Sequence, residues 1–187
     1  MTCPIPCQCE LLHNCAHSSG PLQNLERVAR GAFDPRHINS KHTNIKRAFI
    51  EKKSLAESEF SVWRLDPAQS LPIENLVSIL RNRTDLGNLA VIFSVGVEEI
   101  RNLKSADEER RVFRVYDCSR YTQQGDTNPF HAHIGLCREL PKSYFDRDSE
   151  DFQFLVDQLF FVFNSATSRT IEWTCDGDTL AGLTAKN

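Results

Sequence analysis

The chain has 187 residues, enough for one domain whose core hides about 70% of the unfolded surface without disulfides or metals as staples. Apolar residues make up 40% of it and charged residues 25%, which excludes the disordered and membrane-embedded compositions. A net charge of -3 and a pI near 6.1 exclude a protein that grips nucleic acid or anionic membrane over its whole surface, and leave room only for a local basic patch.

The first twenty residues form a Cys/His-rich leader. Cys3, Cys7, Cys9 and Cys15, with His13 and His17, concentrate soft and borderline metal ligands there, so the four cysteines are candidate ligands for a structural metal. Their spacing lacks paired Cys-x2-Cys knuckles, and the competing expectation is a loosely ordered terminus. The odd total of seven cysteines, four of them before residue 16, does not suit a disulfide framework, and the N-terminus has no basic start followed by an apolar run. Reduced thiols and a cytoplasmic location are expected. No apolar run is longer than that of Leu159 to Phe163, which is too short to span a bilayer.

From Pro21 to Arg30, Leu22, Leu25, Val28 and Ala29 recur at helical spacing, with Gly31 as a stop, which predicts a short amphipathic helix. Asp34-Pro35 breaks it. Ser40 or Thr43 can cap a second helix carrying Ile45, Ala48 and Phe49. Six Lys or Arg against the single acid Glu51 lie between Arg36 and Lys53, joined by His37 and His42; this reads as a solvated helix face or as a phosphate-facing surface.

Residues 60 to 65, Phe-Ser-Val-Trp-Arg-Leu, have strand composition. Alternation puts Arg64 on the face of Phe60 and Val62, where a guanidinium requires a partner, either a protein carboxylate or an anionic substrate. Pro72, Ile73, Leu76, Val77 and Leu80 predict a surface helix fading near Arg83. Residues 89 to 95, apolar but for Ser94, carry the mark of a strand covered on both faces. A short helix over Val97 to Leu103 and a strand over 112 to 117 follow. Residues 170 to 175 form a last strand after a helix over 149 to 163 that is apolar on nearly all sides and is expected to be buried on the sheet. The fold class expected is therefore α+β, a single domain over residues 1–187 with a mainly antiparallel sheet of about five strands.

The densest chemistry lies in Asn128-Pro129-Phe130-His131-Ala132-His133-Ile134-Gly135-Leu136. An extended chain sends Phe130, Ala132 and Ile134 to one face and both imidazoles to the other, roughly 6.5 Å apart. The preceding connection from Asp117 to Pro129 is long for a hairpin, and such loops are often functional. His131 and His133 are the candidate catalytic residues, as proton carriers or as ligands of a divalent metal completed by Asp117, Asp126 or a histidine of the basic segment. The bland alternative is a surface pair bonded to the loop. Cys118 suits a Cys-His nucleophile only where the fold brings it close. No nucleophile elbow, phosphate-binding glycine loop, dinucleotide motif or zinc-protease helix is present. The expectation is one polar cleft in which Arg64 and Asn128, with His37 or His42 at its rim, bind a phosphate-bearing small molecule or nucleic-acid end. The alternative is a non-catalytic binding module that uses the same surface.

Overall fold

The computed structural model describes residue 10 and residues 20–38, 45–65, 73–118, 120–121, 127–128, 130–165 and 169–172. Six strands form the main sheet: β1 (Arg27–Asp34), β2 (Phe60–Leu65), β3 (Asn88–Gly96), β4 (Phe113–Asp117), β7 (His131–Leu136) and β8 (Arg169–Glu172), in the order β4-β7-β2-β1-β3-β8. Every pairing is antiparallel. Two short strands, β5 (Arg120–Tyr121) and β6 (Thr127–Asn128), pair with each other inside the long connection that precedes the histidines. The helices are α1 (Lys52–Ala56), α2 (Ile73–Arg81), α3 (Val97–Arg101) and α4 (Glu150–Asn164). The α+β class and its antiparallel sheet are thus as expected, with one strand more. Among the described residues, no helix is long and apolar enough to cross a membrane.

The additional strand is β1, which corrects the helix expected over residues 21 to 30. It sits at the centre of the sheet, and its buried positions do not alternate: Val28, Ala29, Ala32 and Phe33 are all inaccessible, because both sheet faces are covered there. A strand covered on both sides carries no period of two, so the chance spacing of Leu22, Leu25, Val28 and Ala29 imitated a helix. Leu25, which should have faced that helix's core, is 89% exposed. The second expected helix is corrected too. Arg47–Phe49 is a single 3-10 turn and the α-helix begins later, at Lys52.

Helix α4 covers one sheet face. Ser149 caps it by accepting from the Phe152 N–H at 3.1 Å, and Phe152, Leu155, Val156, Leu159 and Phe163 are buried against the sheet. Phe163 meets Phe49 and Phe60 edge-on, with ring centres 5.4 and 6.3 Å apart, the geometry that the ring quadrupoles favour. Phe161, on the far side, is 73% exposed, so burial is one-sided rather than complete. Helix α2 covers the other face, where Leu76, Val77 and Leu80 pack on Ala29, Phe33, Leu89 and Ile92. Each of these leucines contributes about 1.5–3 kcal/mol by leaving water. The chain is therefore layered helix, sheet, helix, and the two sheet faces are chemically separate.

Two buried ionic clusters tie the layers. Arg64 grips Glu26 with two hydrogen bonds of 2.5 and 2.8 Å and reaches Asp117 at 3.1 Å. Glu10, from the Cys/His-rich leader, is buried between Arg101 and Arg111 and also accepts the Val115 N–H at 3.0 Å.

Candidate functional site

The cross-strand register decides which residues share a face. Trp63 lies opposite His131, Ser61 opposite His133, and Tyr116 opposite His133; directly opposed residues point to the same side. Trp63, His131, His133 and Tyr116 accordingly form a row of edge-on rings across β2, β7 and β4, with successive centres 5.9, 4.7 and 5.5 Å apart. This row lies on the face that α2 partly covers. Arg64, one residue from Trp63, points to the α4 face with Phe60 and Val62, and is 4% exposed. The single cleft expected to hold Arg64, His131 and His133 together is therefore absent. The sheet itself separates them, and Arg64 already has two carboxylates.

His131 has both ring nitrogens engaged. Nδ1 lies 2.8 Å from the Cys118 carbonyl oxygen and Nε2 lies 2.7 Å from the Ser61 hydroxyl. A carbonyl only accepts, so Nδ1 carries the proton, and Nε2 is left to accept from Ser61. The sulfur of Cys118 and one ring nitrogen each of His131 and His133 lie within 4.8 Å of one another. Cys118 is half-buried and both histidines are buried.

Ser61 and Trp63 also form part of the wall of a cavity of about 270 Å³. It opens because β1 and β2 part company. Their pairing ends at Ala29 and Trp63, while β1 continues along β3 as far as Asp34. Arg30 occupies the wedge. Its Nη1 donates to the Ser61 carbonyl at 2.5 Å, and its guanidinium lies over the Phe60 ring at 4.1 Å and the Phe49 ring at 5.6 Å. Its Nε is buried with no hydrogen-bond partner, and no described carboxylate forms an ion pair with it. Burial pulls its pKa down to about 10, against the attraction of Glu51 and with the help of Arg36 and Arg83. Those two cations are already neutralised: Arg36 pairs with Glu51 at 3.1 Å and Arg83 with Asp85 at 3.0 Å. Three guanidinium groups against two carboxylates leave the cavity with one net positive charge, carried by Arg30.

His37, expected at the rim of a cleft with Arg64 and the histidine pair, instead lines this cavity beside Arg30. Its Nδ1 accepts the Phe33 N–H at 3.3 Å and its ring stands edge-on between Phe33 and Phe49. Burial, and then Arg30 and Arg36, lower its pKa to about 4 against Glu51. It is a neutral imidazole at pH 7. His42, the side chain of Asn128, and Cys3, Cys7, Cys9 and Cys15 lie outside the described residues.

Sequence reasoning missed Arg30, concealed in the supposed helix, and Ser61. The alternation of residues 60 to 65 already put Ser61 and Trp63 on the side away from Arg64. Without the pairing of β2 to β7, nothing linked that side to the histidines. A scan against protein-family models, a search of curated proteins and a search of solved structures each return no match. The fold and cavity define a layered antiparallel α+β protein with a cationic pocket at a parted sheet.

Proposed function

We infer that the protein binds a phosphate-bearing small molecule or a nucleic-acid phosphate end in the wedge between β1 and β2, with Arg30 as the anion anchor. One observation carries this reading: a desolvated guanidinium faces a cavity with a buried Nε–H that has no acceptor. A buried charge without a counterion is costly, and a phosphate oxygen supplies both the missing charge and the missing acceptor. The roughly 270 Å³ of space is just below the usual range of ligand-pocket sizes, so a small phosphoester suits it better than a dinucleotide. Ser61 lies on the wall, and His131 behind it offers a proton acceptor for its hydroxyl. In this reading His131 serves as the general base through Ser61, and His37, held neutral, serves as a hydrogen-bond donor through Nε2.

Calorimetry with inorganic phosphate, nucleoside monophosphates and small phosphoesters tests the assignment. Arg30→Met keeps the stacking on Phe60 and removes the charge. Loss of one charge-assisted hydrogen bond, about 1.5–3 kcal/mol, predicts a roughly 10- to 150-fold weaker Kd. Unchanged affinity in Arg30→Met overturns the reading. Turnover that falls about 10²- to 10⁴-fold in His131→Ala supports a catalytic role; equal binding with no turnover in either protein leaves the non-catalytic binding module.

A further inference from the structure

We propose that Cys118, His131 and His133 form a three-ligand site for a zinc-class divalent cation on the sheet face opposite Arg64. Three elements of the topology create the cluster. His131 and His133 are alternate residues of β7 and so share a face, and Cys118 follows Tyr116 by two positions at the end of β4, the strand paired with β7. The β4–β7 ladder extends to this point through the Cys118 N–H, which donates to the His131 carbonyl at 3.0 Å. The thiol is thereby brought beside the two rings, and the three donor atoms lie within 4.8 Å of one another.

The donor set selects the metal. One thiolate and two imidazoles are soft to borderline ligands, suited to zinc and its neighbours and unsuited to magnesium or calcium, which require oxygen. Three protein ligands also leave a tetrahedral position for water, the pattern of an open rather than a purely structural site. Metal–ligand bonds of about 2.0–2.3 Å put tetrahedral donors roughly 3.3–3.7 Å apart, so the cluster closes on an ion by about 1 Å of movement. Cys118, half-buried at a strand end, has the room to supply it.

The surroundings of His131 carry the argument further. Its Nδ1–H is held by the Cys118 carbonyl, the kind of outer contact that fixes the tautomer of a metal-ligating histidine and presents the Nε2 lone pair. The lone pair is now engaged by the Ser61 hydroxyl, so metal binding displaces that hydroxyl while leaving the Nδ1 contact in place. The Cys118 thiol ionises as the metal binds and its proton passes to solvent. A purely structural network of Ser61, His131 and the Cys118 carbonyl, the competing account, binds no metal and releases no proton. The inference does not depend on anion binding at Arg30: it shares His131 with that reading, but rests on Cys118 and His133 beside it and on another readout.

The test is a titration of the full chain with Co2+, once as the natural sequence and once with Cys3, Cys7, Cys9 and Cys15 changed to Ser to silence the leader. Thiolate-to-cobalt charge transfer in the near ultraviolet, ligand-field bands and proton release are followed, with zinc as competitor. One Co2+ per leader-substituted chain is expected, displaced by zinc. Cys118→Ala should abolish the charge-transfer band. His133→Ala should weaken binding by more than the roughly 10- to 100-fold that loss of an outer contact costs. In the natural sequence, Cys118→Ala should remove one equivalent, which keeps the test decisive should the leader substitutions unfold the protein. A folded leader-substituted chain with no cobalt–thiolate band, or a band and stoichiometry indifferent to Cys118→Ala, overturns the proposal.

Discussion

His37 makes the stability of this protein depend on pH in a direction that can be worked out beforehand. Its pKa falls from 6.5 in the unfolded chain to about 4 in the fold, because burial and then Arg30 and Arg36 disfavour the imidazolium. Between those two values the unfolded state binds more protons than the folded one, so stability rises with pH. The contribution is complete above pH 6.5 and is lost as pH falls towards 4. The full shift is worth about 3.4 kcal/mol at 1.36 kcal/mol per unit. Part of it arises across a cavity open to solvent, where screening reduces it, so the loss expected between pH 8 and pH 5 is roughly 1–2 kcal/mol. Carboxylates titrate towards the bottom of this range and must be subtracted. His37→Asn does so, since its amide oxygen can stand where Nδ1 accepts the Phe33 N–H, and it has no charge to gain. Urea unfolding of both proteins at pH 8, 7, 6 and 5 should give a wild-type advantage that shrinks steadily with acidification. A difference that is flat across this range, or that grows at low pH, refutes the account of His37.

Further outcomes follow from the same structure. Sulfate, whose charge does not change across this range, should bind more tightly as pH falls from 7 to 5, because an anion beside Arg30 favours protonated His37; calorimetry showing pH-independent affinity counts against a shared cavity. Arg64→Leu should cost about 3–5 kcal/mol in chemical denaturation, since it leaves Glu26 and Asp117 buried without their cation; a loss below about 1 kcal/mol would mean that water reaches that cluster. Gly135→Ala should destabilise by about 1–3 kcal/mol, because the added Cβ would lie 2.8 Å from the Ser58 Cβ and 3.0 Å from its carbonyl oxygen. Ser149→Ala should cost about 1 kcal/mol by removing the cap of α4, measurable as a lowered Tm.

The elements legible in the sequence were those with a single simple environment. Residues 60 to 65 alternate because β2 carries an apolar α4 face and a mixed face with Ser61 and Trp63. Residues 150 to 164 show the Ser149 cap and a strong apolar stripe. The central strand β1 was concealed by the burial that makes it central, which erases its period. The candidate site failed at the next level of organisation. The polarity of Arg64, His131 and His133 was plain, but which of them meet depends on strand order and register, and those come from contacts between residues far apart in the chain. That Arg64 needs a partner was readable; that its partners are Glu26 and Asp117 was not. Arg30 is the converse case, unremarkable in a supposed amphipathic helix and conspicuous only once the chain is extended and its neighbour on one side has moved away.

The parting of β1 from β2 has a mechanical meaning. β1 is joined to β3 by eight paired positions but to β2 by three, Arg27 to Leu65, Val28 to Arg64 and Ala29 to Trp63. The sheet is therefore two ribbons, β4-β7-β2 and β1-β3-β8, laced along a short seam that the Arg30 guanidinium prolongs by one stitch to the Ser61 carbonyl. Backbone amides along that seam have the fewest neighbouring rungs to hold them closed, so hydrogen exchange should enter the sheet there before it reaches either ribbon. An occupant of the wedge that pulls on Arg30 then acts directly on the short seam between the two ribbons.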